Sequence, residues 1–207
     1  MPQEPTMSLT PAGARDRITL GLALLSFAAG SMDAIAFLVL GGIFTLAMSG
    51  NTIVLGLAIS QGHFSAAMHS FAALLGYVAG VSVASLSLAK SERGSGWTLG
   101  LEALFLASFA ALWPFAGDPV HSSVVYGLIV LSAVAMGLQG AIGRTIGIPG
   151  IMTVIFTSTY TAIVGDLVER TLAGHRPLLT GLAAQQLTAL AAYLGAPSLA
   201  ASSPRIG

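Results

Sequence analysis

The chain is expected to fold as an all-α polytopic transmembrane bundle of about seven helices, and three observations carry that expectation. Only 8% of its 207 residues are charged, 55% are hydrophobic, and the mean hydropathy is +0.85. A soluble fold covers itself with polar and charged groups, so this composition belongs to a chain solvated by lipid. Apolar stretches of about 20 residues, the length that crosses a bilayer core, recur along most of the sequence. The turns between them are short, which makes successive helices neighbours in one domain.

Residues 1–14, rich in Pro, Thr, Gly and Ala, read as a disordered tail ahead of a single transmembrane domain over 15–200. The first span, 18–40, follows Arg15 and Arg17 and continues past Asp33. That is too long for the apolar core of a signal peptide, so an uncleaved helix is expected. Gly41-Gly42 separates it from 43–61, and Gln61-Gly62-His63 separates that from 66–89. A polar stretch from Lys90 leads into 97–116, whose Trp97, Trp113 and Phe115 read as interfacial belt residues. The remaining spans are 121–143, 149–168 and 178–200, followed by a tail over 201–207.

The sequence also repeats itself. Gly30-x-x-x-Ala34-Ile35 returns as Gly137-x-x-x-Ala141-Ile142, 107 residues later, and Gly42-Ile43-x-Thr45-x-x-x-Ser49 returns as Gly150-Ile151-x-Thr153-x-x-x-Thr157, 108 residues later. Two halves, about 18–89 and 121–200, would then flank a linker helix at 97–116. If all seven spans cross, an odd linker gives both triplets the same orientation, a 3+1+3 parallel repeat with an axis along the membrane normal. Chance similarity among Gly, Ala and Ile in apolar helices is the competing explanation. With the N-terminus inside, Arg15, Arg17, Arg170 and Arg176 share one side, and Lys90, Arg93, Arg144 and Arg205 the other. The first helix decides the tie, and its flank places the N-terminus in the cytoplasm.

Asp33 stands alone in this apolar sequence: no Asp, Glu, Lys or Arg occurs from 18 to 32 or from 34 to 89. A charge at bilayer depth costs roughly 2.5–3.5 kcal/mol on insertion scales, so it is read first as functional. On the seven-crossing topology Asp33, Ser49, Asn51, Glu102, Gln139, Thr153 and Thr157 lie within about 6–12 Å of the face opposite the N-terminus. Arg144 lies at the rim, and five helices would contribute to one vestibule that takes a small solute or a proton or cation. Thr45, Ser49 and Thr52 form one stripe, and Thr153, Thr157 and Thr161 another. Gly50 would loosen the second helix so that its carbonyls line a cavity.

Bland readings stand beside each of these. Hydroxyls and small residues are ordinary glue between membrane helices, worth about 0.6 kcal/mol each. Asp33 is then a protonated or Arg-paired structural acid, and Arg144 an anchor with its stem in lipid; otherwise Arg144 is a counter-ion to Asp33 or Glu102, or a clamp for an anion. Gly76-x-x-x-Gly80 is a packing face, either inside the bundle or joining two copies of the chain.

Several classes are excluded. With no cysteine there is no disulfide, thiolate metal site or cysteine nucleophile, and His63, His69, His121 and His175 lack metal-ligand spacing. A net charge of zero without basic clusters argues against nucleic acid. No nucleophile elbow or metalloenzyme signature is present, so neither an enzyme nor a cofactor is expected.

Gly30-Ser-Met-Asp33-Ala-Ile, followed by Phe44-Thr-Leu-Ala-Met48-Ser49-Gly50-Asn51, resembles the YoaK-like family of small bacterial integral membrane proteins, whose first half carries a G-x-x-D and an F-x-x-x-M-T-G-N element. Met136-Gly137-Leu138-Gln139 with Ala141 and Arg144 resembles the G-x-Q-N-A element of the same family's second half. The likeness covers about 18–170. It departs at Ser49, where the family has Thr, at Gly140, where it has Asn, and at 156–159, where a T-G pair is expected. The resemblance implies a helical bundle of the bacterial inner membrane and no particular activity. Two functions remain open: a small-solute or ion transporter or exporter with a polar site between the helix triplets, or a non-transporting membrane partner or assembly protein whose polar residues fix helix packing.

Overall fold

Large apolar side chains point outward along the long helices, among them Leu20, Leu24 and Phe37 near the N-terminus, Leu75, Val78 and Leu86 farther on, then Leu104. Helices with apolar outer faces are stable only in lipid. The computed structural model describes residues 12–90, 94–117, 122–145, 163–165, 167–168, 170–172, 174 and 181–201. It is an all-α polytopic bundle; the described residues contain no strand. Its helices are α1 (Ala12–Val39), α2 (Met48–Ser60), α3 (Phe64–Lys90), α4 (Gly94–Leu112, running into a 3-10 turn at Trp113–Phe115), α5 (Ser122–Thr145) and α6 (Gly181–Ala201). The expected span 149–168 lies outside the described residues except for helical positions at 163–165 and 167–168, and Thr153 and Thr157 lie outside them too.

Four stretches are long and apolar enough to cross a bilayer: Thr19–Val39, Phe64–Lys90, Gly94–Phe115 and Val124–Arg144. Helix α2, with 13 residues, is not one of them. At 1.5 Å per residue it is about 20 Å long, against a hydrocarbon core of about 30 Å.

Helix directions follow from which residues meet. Gly76 of α3 lies against Val130 and Ala133 of α5, and Gly80 against Val134 and Gly137, so α3 and α5 run parallel. Leu112 of α4 touches Gly127, while Leu101 and Phe105 pack with Val134, Leu138 and Ala141, so α4 and α5 are antiparallel. Gln185 of α6 donates to Thr19 of α1 and Tyr193 donates to Asp33, so these two helices run parallel. Gly41, just past the end of α1, meets the His69 ring near the start of α3. Residues 28–35 of α1 line the same groove as residues 106–113, which puts α1 parallel to α4 and opposed to α3 and α5.

The expected like orientation of the two triplets is therefore not what the chain adopts: α1 and α5 run in opposite directions. The physical reason is α2. After α1 ends, the chain turns at Gly41 and Gly42, both at positive φ, and doubles back until Thr45 and Leu46 reach Asp33, six residues before the end of α1. Helix α2 starts there, about 9 Å below the end of α1, and returns to the face that α1 reached. Residues 40–60 form a re-entrant hairpin, and α3 is the second crossing.

Helix α5 is the centre of the bundle, with 78% of its apolar window buried. It is reached at close quarters because glycines face glycines: a Cβ at Gly137 would strike the Tyr77 carbonyl, and one at Gly80 the Val134 carbonyl. Gly76 and Gly80 are thus filled by α5 of the same chain, so that face is not available to a second copy. Gly30 of α1 makes the same kind of approach to α6, against the Tyr193 carbonyl.

Candidate functional site

The chain break before α2 sets the problem that the polar residues answer. Irregular backbone at membrane depth leaves N–H and C=O groups without helical partners, and lipid supplies none. Asp33, 3% exposed, takes up two of the N–H groups. Its Oδ1 accepts hydrogen bonds from the Thr45 N–H at 2.7 Å, the Leu46 N–H at 2.8 Å and the Thr45 hydroxyl at 2.9 Å. Its Oδ2 accepts one from the Tyr193 hydroxyl at 2.8 Å. A carboxylate has about two lone-pair sites on each oxygen, so the three donors on Oδ1 fill that oxygen and Tyr193 takes one site on the other. The carboxylate also stands just ahead of α2, where the positive end of the helix dipole favours an acidic group.

Asn51 completes the job one peptide earlier. Its Oδ1 accepts the Phe44 N–H at 2.8 Å while its Nδ2 donates to the Phe44 carbonyl, so the side chain clamps both polar groups of one residue. Gly50 makes room for this: a Cβ there would meet the Phe44 ring at 2.8 Å, and that ring stacks on Phe37 with centroids 5.3 Å apart. Helix α2 is continuous through Gly50, so the glycine admits a side chain and does not loosen the helix. Asp33 and Asn51, the two residues singled out by sequence, thus satisfy the N–H groups of Phe44, Thr45 and Leu46 in succession.

The remaining candidates do not join this cluster. Ser49 and Thr52 are exposed on the outer side of α2, and Thr52 bonds back to the Met48 carbonyl at 2.9 Å. Glu102, Gln139 and Arg144 lie on α4 and α5 toward the end of the bundle that carries the start of α1. The described residues therefore do not gather the candidates around Asp33, although the Tyr77 hydroxyl lies within electrostatic reach of both Asp33 and Arg144. Gln139 donates to the Leu25 carbonyl of α1 at 2.7 Å, leaving its buried Oε1 without a partner among the described residues. Glu102 is 4% exposed, and its Oε2 is likewise unpartnered. Arg144 is exposed at the end of α5, and no ion pair joins it to Asp33 among the described residues. Those residues also contain no cluster of metal-ligating side chains.

Tyr193 and Tyr77 escaped the sequence reading. They occupy matching places: each belongs to the helix packed on a close-approach glycine, Gly30 for Tyr193 and Gly137 for Tyr77. The Tyr193 hydroxyl binds Asp33, and the Tyr77 hydroxyl lies against Gly140, 107 residues beyond Asp33 in the repeat register. The available signal was a tyrosine deep in each of two apolar spans, at related distances from their starts.

Comparison with known proteins places these features in context. A family model described as a protein of unknown function (DUF1275) matches residues 21–201. The UPF0700 transmembrane protein YoaK of Bacillus subtilis (strain 168) is 36% identical over 156 residues, which covers 72% of this chain and 67% of that protein. No solved structure matches.

Proposed function

The chain belongs to the DUF1275 family of YoaK-like membrane proteins, and on that footing we propose that it is a small-solute or ion transporter of the bacterial inner membrane, built from two inverted halves. The observation that carries this reading is the helix that begins at mid-depth: α2 starts beside Asp33 and not at a membrane face. Discontinuous helices, whose broken ends face a site at the interface of inverted repeats, are a recurring construction of secondary transporters. The exchange of partners supports the repeat. The first helix of each half packs on the last helix of the other, α1 on α6 and α5 on α3, through Gly30 and Gly137.

In this reading Asp33 and Asn51 hold the break in place, and the solute meets groups that the scaffold leaves over: Ser49 on the first turn of α2, Gln139 and Arg144 on α5, and Glu102 on α4. Thr153 and Thr157, outside the described residues, are in sequence the repeat counterparts of Thr45 and Ser49. The N-terminus is cytoplasmic. Arg15, Arg17, Lys90 and Arg144 belong to one end of the bundle, whereas the turns described at the other, 40–47, 61–63 and 116–117, carry no Lys or Arg.

One observation favours the second reading, a non-transporting partner or assembly protein. Asp33 accepts from four protein donors and Asn51 clamps one peptide from both sides, as a packing role requires.

The chain has no cysteine, so Ser49→Cys is a unique reporter. A membrane-impermeant maleimide should modify it from both sides of the membrane, in right-side-out and inverted vesicles, at rates that change with a solute found by thermal-shift screening. Modification from neither side, with no stabilising solute, would leave the assembly reading.

A further inference from the structure

The two buried carboxyls of the bundle are opposites in their surroundings. Asp33 has four donors. Glu102, the ninth residue of α4 and about 12 Å from its start, has an oxygen with none among the described residues. Leu101 and Phe105 beside it pack into the apolar cluster of Ala84, Val134, Leu138 and Ala141. The titratable or charged groups on the helices around it are Arg15, Asp16, Arg17 and Asp33 on α1, His69, Tyr77 and Lys90 on α3, and Tyr126 and Arg144 on α5. None of them forms a hydrogen bond or ion pair with it among the described residues. An ionised carboxylate with no donor in apolar surroundings is far too costly to persist, so such a group carries a proton or meets a cation.

We propose that Glu102 is a proton-binding site: its carboxyl holds a proton while α3, α4 and α5 enclose it, and releases that proton to water when α4 moves. The release rests on the transport reading for its place in a cycle, but the proton on the enclosed carboxyl does not. Room for movement exists on one side, where a groove of about 410 Å³ separates α4 from α1 between Ile35, Leu106 and Trp113.

Dicyclohexylcarbodiimide forms a stable adduct with a protonated carboxyl in apolar surroundings. On the detergent-purified full chain it should give one adduct, on the peptide containing Glu102, with labelling that falls as the buffer is made alkaline. Glu102→Gln should lose the adduct. A folded parent that carries no adduct at Glu102 in acid or alkaline buffer would overturn the proposal. Both tryptophans, Trp97 and Trp113, sit on α4 and its 3-10 turn, so their emission reports on that helix alone. A reversible pH-dependent shift in the parent should be absent from Glu102→Gln and retained in Ser82→Ala, an exposed position on α3; an equal shift in Glu102→Gln would also overturn it. If adduct and shift are found but no solute gives flux in proteoliposomes, the transport reading fails and the proton site stands.

Discussion

The Tyr193 hydroxyl donates to Asp33 Oδ2 at 2.8 Å, joining the last helix to the first across 160 residues of sequence. The same carboxylate holds the backbone ahead of α2, so docking of α6 and the position of the re-entrant hairpin depend on one side chain. Tyr193→Phe removes one charge-assisted hydrogen bond and should cost roughly 1.5–3 kcal/mol. Asp33→Ala strands the buried Thr45 and Leu46 amides as well and should cost roughly 3–5 kcal/mol, near the limit of what single substitutions do. Unfolding in detergent followed by circular dichroism measures both. An Asp33→Ala chain as stable as the parent would show that the hairpin is held by something else.

Asn51 should behave differently from a solute ligand. It clamps both the N–H and the carbonyl of Phe44, so Asn51→Ala leaves two buried peptide groups unmet and should cost roughly 2–4 kcal/mol. Asn51→Asp keeps the acceptor for the Phe44 amide but turns an oxygen toward the Phe44 carbonyl. It should be at least as damaging as the alanine, whereas a residue that only contacted solute would tolerate either change. The comparison is made by thermal unfolding without added solute.

These two residues were legible in the sequence because an acid and an amide inside apolar spans are costly and need a reason. Their partners were not, because the reason is backbone geometry: nothing in the letters 41–47 says that the chain turns back on itself. Hydropathy registers whether a segment prefers lipid, not which way it runs. Residues 43–61, a doubled-back strand of chain followed by a 13-residue helix, therefore passed for a crossing. That one reversal inverts α3, α4 and α5 relative to the expected topology while α6 keeps its expected direction alongside α1; without it the basic residues split evenly and Glu102, Gln139 and Arg144 gather with Asp33. Helix positions are legible for the described residues outside 43–47, and Gly76-x-x-x-Gly80 reads as a packing face without a choice between the bundle interior and a second copy.

The glycine contacts make a sharper test of the exchanged packing. A Cβ at Gly30 would strike the Tyr193 carbonyl and one at Gly137 the Tyr77 carbonyl, backbone atoms that cannot move aside as side chains do. Gly30→Ala and Gly137→Ala should each destabilise by roughly 1–3 kcal/mol through forced separation of helices. Gly100→Ala meets nothing within 4 Å. It should be neutral, or stabilising by up to about 1 kcal/mol from helix propensity. Thermal midpoints of the three variants, measured in one detergent, decide the matter; equal midpoints would count against both close approaches.

Topology can be read directly, since every introduced cysteine is the sole thiol. If residues 40–60 are re-entrant and the N-terminus is cytoplasmic, Gln61→Cys and Ser122→Cys belong outside, while Lys90→Cys and Arg144→Cys belong inside with Arg15 and Arg17. A chain in which 43–61 crossed would reverse all four sides, because each lies beyond that segment. An impermeant maleimide applied to spheroplasts should therefore modify the first pair and spare the second, and inverted vesicles should give the complementary pattern. The outcome also bears on orientation. Four basic positions at one end, with none in the turns described at the other, form a strong positive-inside signal, whereas the four-against-four split left the first helix to decide alone. Should Lys90 and Arg144 prove external while Gln61, Ser122 and an Arg15→Cys reporter are all internal, the re-entrant hairpin and the inverted halves would fall together, since both rest on α2 returning to the face it left.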